Sequence, residues 1–101
     1  MPRNLDLSAL RSFVTVADVG GVTRAAGYLN LTQSAVSMQI KRLEESLGMQ
    51  LFLRAARKLA LSPDGEQLLS YGRRMLALND EALSLLSSTA CEGEIRLGVP
   101  H

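Results

Sequence analysis

From Ser62-Pro63 to about Thr89 the chain runs without another proline. A hydroxyl at the N-cap followed by proline at the first helical position is a strong helix start. The stretch is therefore expected to form one helix of about 27 residues, roughly 40 Å at 1.5 Å per residue. Leu68, Leu69, Met75, Leu76, Leu83 and Leu86 lie on one stripe of it, widened by Tyr71, Leu78, Ala82 and Leu85. Only about sixty residues precede it, too few to cover so long and broad an apolar surface. The stripe therefore predicts two neighbours. The first half folds back over its own head, and the rest meets a second copy of the chain. On this reading Leu68, Leu69, Met75, Leu76, Leu83 and Leu86 are the candidate dimerisation residues.

The head shows three helical patterns in a row. Leu7, Leu10, Phe13, Val14 and Ala17 share one face, with Asp6 placed as N-cap and Gly20-Gly21 as the stop. Val22, Ala25, Ala26 and Leu29 make a second, shorter face whose alanines allow another helix to approach closely. After the brief break at Asn30-Leu31, Thr32 is a suitable N-cap for a third helix with Val36, Ile40, Leu43 and Leu47 inward and Gly48 at its end. The period then changes. Leu51-Phe52-Leu53 and Leu59-Ala60-Leu61 read as the arms of a small hairpin, with Arg54, Ala55, Ala56, Arg57 and Lys58 forming a basic tip. Past the long helix, Glu92 to Pro100 alternates like a strand and has no partner strand in this sequence. It is read as the stub of a further domain.

Charge divides along the same line. Through Ser62 eight Lys and Arg face four Asp and Glu, a balance of +4; from Pro63 three Arg face six acids, a balance of −3. A basic front on an acidic rear suits a polyanion partner for the front alone. One Cys and one His leave no internal disulfide and no zinc-ligand set, so no metal and no cofactor is expected. No Ser-His-Asp set, phosphate-cradling Gly loop or carboxylate dyad stands out, and Glu44-Glu45 diverge by about 100° on a helix. The chain reads as a non-enzyme. No apolar run is long enough to span a bilayer, and the N-terminus has no apolar signal core, so a cytoplasmic protein without membrane contact is expected.

Helix, short helix, tight turn, helix and basic hairpin is the layout of a winged helix-turn-helix, a mainly α fold. With Val36, Ile40, Leu43 and Leu47 inward, the opposite side of the third helix carries Ser34, Met38 and Lys41. Ser37 flanks them and Gln33 stands at the N-terminus. Gln pairs bidentately with adenine, Ser serves either base, and Met meets the thymine methyl.

These residues resemble a known family. Thr23-Arg24-Ala25-Ala26 to Leu29, then Thr32-Gln33-Ser34-Ala35-Val36-Ser37, is similar to the helix-turn-helix of LysR-type transcriptional regulators. So are Leu43-Glu44 with Leu47-Gly48, Leu51-Phe52-x-Arg54 with Arg57, and Leu61-Ser62-Pro63-Asp64-Gly65. The resemblance implies a DNA-binding domain over residues 5–62, with the helix-turn-helix at about 22–41 and the wing at about 50–61. A linker and dimerisation helix follows at 63–90, and 91–101 would begin an effector-binding domain. It further implies double-stranded operator DNA as partner, homodimers that often pair into tetramers, and a small-molecule coinducer held by a C-terminal domain outside this sequence.

By position, the resemblance gives Gln33, Ser34 and Ser37 to bases or phosphates, and Arg54 and Arg57 to the backbone or minor groove. Lys58 adds a phosphate contact, and Thr23 and Arg24 open a helix whose amides meet a phosphate. Thr32, Met38 and Lys41 complete the candidate DNA-binding set. Two residues depart from the family pattern. Met38 stands where Arg is frequent, and Gly21 stands where a Ser caps the second helix. The alternatives left open are a non-specific architectural DNA binder, against which the polar rather than basic third helix argues, and a helical protein–protein adaptor.

Overall fold

A computed structural model describes residues 4–55 and 58–89. Helix α1 spans Leu7–Val19, α2 Val22–Leu29, α3 Gln33–Leu47, and α4 Pro63–Thr89; a two-stranded antiparallel hairpin, β1 Phe52–Ala55 and β2 Lys58–Leu61, lies between α3 and α4. No helix among the described residues is long and apolar enough to cross a membrane.

Local chemistry sets the helix ends. The Asp6 carboxylate accepts from Ser8 N at 2.9 Å and Ala9 N at 3.4 Å, satisfying amides that the first turn of α1 leaves without partners. Thr32 Oγ1 accepts from Ala35 N at 3.1 Å and does the same for α3. Helix α2 starts at Gly21 with no side-chain cap, as the missing hydroxyl there predicts. Gly20 and Gly48 close α1 and α3 at positive φ, and Asn30 closes α2 in the same left-handed region.

Helix α1 is the hub, packing against α2, α3 and α4. Leu10, Phe13 and Val16 from α1, Ala25 from α2, Val36 from α3 and Leu51 ahead of the wing are fully buried, and Phe13 meets Phe52 with ring centroids 5.3 Å apart. The predicted inward faces of α2 and α3 hold, and so do Leu10, Phe13 and Val14 of α1; Leu7, however, is 41% exposed, and Ala9, Ser12 and Val16 are buried as well. Three elements surround α1, so apolar side chains are wanted on more than one stripe, and Ser12 enters by donating to Gln39 Oε1 on α3.

The hairpin also differs from the expectation. Arg54 and Lys58 are not at its tip but in its arms, where Arg54 pairs with Leu59 and Lys58 with Ala55. Arg57 lies outside the described residues, as do Cys91 and the expected strand stub at 91–101.

Helix α4 starts where the head ends. Ser62 Oγ accepts from Gly65 N at 2.9 Å and donates to Gln50 O at 2.6 Å, while Ser62 N donates to Leu51 O at 2.9 Å. This brings the first turn of α4 so close that a Cβ on Gly65 would lie 2.1 Å from Leu51 O. Only glycine fits there. At Gly72 a Cβ would stand 3.1 Å from Leu10 Cδ1, so a hydrogen there lets α4 settle against α1. Arg11 pairs with Asp80 at 2.8 Å and Arg73 pairs with Asp18, so ion pairs flank the seam.

The seam corrects one of the candidate dimerisation residues. Leu76 is 6% exposed and belongs to the core of its own head, and Leu68, Leu69 and Met75 are half-buried against the same core. Leu83 and Leu86 lie beyond the reach of the head and are 57% and 66% exposed.

Candidate nucleic-acid interface

The helix-turn-helix is built by two stops in quick succession. At the end of α2 the Leu31 amide donates to Ala26 O at 3.0 Å, and Thr32 caps α3 one residue later. Val36, Ile40 and Leu43 hold α3 to the core. At about 100° per residue, Met38, Ser34 and Lys41 must then point away from the head. They do. Gln33, Ser34, Ser37, Met38 and Lys41 are all exposed, and Met38, at 52%, has no apolar reason to be there.

Thr23 and Arg24 are exposed at the start of α2 beside this face. The Gln33 amide nitrogen donates to Thr23 Oγ1, which fixes the side-chain plane and leaves the carbonyl oxygen and one N–H for an incoming group. Thr32 is exposed as well. Its oxygen is engaged with Ala35 N, and its own O–H remains able to donate to a phosphate.

Ser37 and Lys41 also line a groove that runs from α3 to the hairpin, with Ile40, Glu44, Gln50, Phe52, Leu53 and Leu59 along it. The strands that carry Arg54 and Lys58 therefore rise beside the outward face of α3. No group of acidic, His or Cys side chains fit to hold a metal exists among the described residues.

Glu44 is the residue whose role sequence reasoning missed. Quoted as part of the family motif and otherwise set aside as one half of a diverging carboxylate pair, it reaches over the end of α3 and accepts from Leu51 N at 2.8 Å and Phe52 N at 3.3 Å. Its place before a glycine C-cap and a short apolar run was a usable signal. What it bonds to was not visible without the turn.

At the far end of α4 lies a second uncovered surface. Residues 81–87 are exposed throughout, and Leu78, Leu83, Leu85 and Leu86 stand open in the isolated chain.

Comparison with known proteins agrees with this geometry. Residues 7–66 match the family model described as bacterial regulatory helix-turn-helix protein, lysR family. The chain is 44% identical over 98 residues to the HTH-type transcriptional regulator DgdR of Burkholderia cepacia, covering 97% of this chain and 33% of DgdR. It is 44% identical over 95 residues to the regulator PecT of Dickeya dadantii, covering 94% of this chain and 30% of PecT. It thus spans about a third of the length of these relatives. The crystal structure of the BenM DNA-binding domain in complex with catB site 1 DNA superposes with a TM-score of 0.82 at 34% identity, covering 90% of this chain and all of that one.

Proposed function

The chain belongs to the LysR family of bacterial helix-turn-helix regulators, and from that premise we propose how its residues read DNA. Helix α3 enters the major groove. Gln33 reads an adenine edge, Ser34 and Ser37 contact bases or phosphates, and Met38 packs on a thymine methyl. Lys41 neutralises a phosphate. Thr23, Arg24 and Thr32 hold the phosphates beside the start of α3, and Arg54, Arg57 and Lys58 hold the backbone or minor groove from the wing. The distal part of α4, with Leu83 and Leu86, joins two copies, so that two recognition helices meet two half-sites one or more turns of DNA apart, each turn roughly 34 Å.

The observation that carries this reading is the outward face of α3. It is a row of short or unbranched, mostly uncharged side chains, exposed on a rigidly packed helix beside a basic hairpin. Such a face reads base edges, whereas an architectural binder depends on many Lys and Arg. Residues 63–90 act as the linker, and residues 91–101 lead into an effector domain whose small-molecule coinducer makes the whole regulator responsive in the cytoplasm.

Selection of duplexes by this chain from a random pool at fixed salt tests the proposal. A consensus with two related half-sites is expected, outcompeting random DNA by at least about a thousandfold. Equal competition by random DNA would replace sequence reading with architectural binding, and dimers that bind no duplex would leave a protein–protein adaptor.

A further inference from the structure

The junction between the recognition helix and the wing is organised around one side chain. Glu44 lies one turn before the end of α3, and its main-chain carbonyl accepts from Gly48 N at 2.8 Å and Met49 N at 3.2 Å, closing the helix. Its carboxylate then reaches over that close. A single oxygen, Oε2, accepts from Leu51 N at 2.8 Å and Phe52 N at 3.3 Å, the latter being the first residue of β1. The opposite edge of the same segment is tied to α4, through Ser62 N to Leu51 O and Ser62 Oγ to Gln50 O. Leu51, pinned on both sides, is fully buried. The approach to the wing is therefore held to the recognition helix by Glu44 and to the long helix by Ser62.

We propose that Glu44 is a positioning residue for DNA binding: it sets the angle of the hairpin relative to α3, so that wing and recognition helix engage one duplex together. The inference rests on the DNA-reading role assigned above. Glu44 itself is not a DNA contact. A carboxylate is repelled by phosphate, and here its oxygen is spent on two backbone amides. Its effect comes through geometry. Once α3 is seated, the wing binds as a tethered second module, and a loosened tether lowers the effective concentration of the wing at its own stretch of backbone.

The test uses the chain bound to a duplex that it selects from a random pool. Glu44→Ala removes the acceptor, Glu44→Gln keeps an acceptor oxygen at the same reach without the charge, and Glu44→Asp keeps the charge but retracts the oxygen by one methylene. In the free protein, Glu44→Ala should speed hydrogen exchange at the Leu51 and Phe52 amides. On DNA it should weaken binding about tenfold and thin the hydroxyl-radical protection on the flanks touched by the wing, leaving the protection under α3 intact. Glu44→Gln should stay within about threefold of wild type. A folded Glu44→Ala with wild-type affinity, a loss spread evenly over the footprint, or a Glu44→Gln as weak as Glu44→Ala would each overturn the proposal. If Glu44→Ala does not fold, the order of the other two decides: Glu44→Asp weaker than Glu44→Gln supports it, and the reverse overturns it. A wild-type chain that selects no duplex would bring down the DNA reading itself, which is a separate outcome from altered variants on a bound duplex.

Discussion

The two helical surfaces that the head and its long helix leave open are chemical opposites. The outward face of α3 presents Gln33, Ser34, Ser37, Met38 and Lys41, while the far end of α4 presents Leu78, Leu83, Leu85 and Leu86. The other side of α3 packs on the core, whereas the far end of α4 projects past the head, so the two faces stand open for different reasons. Hydrogen-bonding groups of modest size remain stable in water and can exchange water for a base edge. Clustered leucines raise the free energy in water and lower it against another apolar surface. The first face therefore suits nucleic acid and the second suits a copy of itself. The contrast recurs within α4. Leu76 and Leu83 look alike in sequence, yet Leu76 is buried against the head and Leu83 stands beyond its edge.

The largest expected effect comes from destroying the second face while sparing the first. Leu83→Asp with Leu86→Asp should give monomers by ultracentrifugation and cost about a hundredfold or more in operator affinity, because the two heads no longer act together. A wild-type chain that is monomeric at tens of micromolar would break the comparison outright.

Next, the two halves of α4 should respond differently to the same change. Leu76→Ala leaves a cavity in the core and should cost about 2–5 kcal/mol of unfolding free energy. Leu83→Ala in a chain kept monomeric by Leu86→Asp alone should cost less than about 0.5 kcal/mol. Denaturant titration of both measures the difference, and equal losses would mean that the distal half has cover of its own.

The polar face is sharpened by Gln33→Ala, expected to cost about 1–3 kcal/mol on the selected duplex and little on random DNA. Equal losses on both would remove Gln33 from base reading. Met38→Arg should leave stability within about 0.5 kcal/mol, since Met38 packs against nothing that the core needs. The same change should shift selection toward a guanine at the contacted position, and an unchanged consensus would discard the methyl contact.

The smallest effect belongs to the seam between the regions. The Arg11 guanidinium, with help from the Asn79 side chain, holds the Asp80 carboxyl below its ordinary value of 3.8. A carboxylate depressed in the folded state adds stability above its unfolded pKa and loses it as pH falls through the lower folded value. The melting-temperature difference between wild type and Asp80→Asn should therefore be constant near neutrality and disappear with acidification below about pH 4. Asp80 is exposed, so the difference should be small and should shrink in high salt. A difference that persisted into strong acid would assign it to packing.

The sequence by itself determined the four helices, their order and the outward face of α3. These depend on signals that act within one turn: the 3.6-residue period, the hydroxyl or carboxylate of Asp6, Thr32 and Ser62 placed before free amides, and glycine at Gly20 and Gly48. The chain of motifs from Thr23 to Gly65 added the family. Tertiary structure alone decided what depends on distance through space. Glu44 finds its partners seven and eight residues on, around a turn whose shape no local rule supplies. Gly65 is required because a carbonyl fourteen residues earlier in the chain, Leu51 O, comes within reach of its missing Cβ. Leu7 turned outward and Val16 inward because α1 is shared among three neighbours, and one amphipathic stripe cannot serve them all. The leucine stripe of α4 followed the same rule. Periodicity laid it down as one continuous surface, and the size of the head decided where its cover ends.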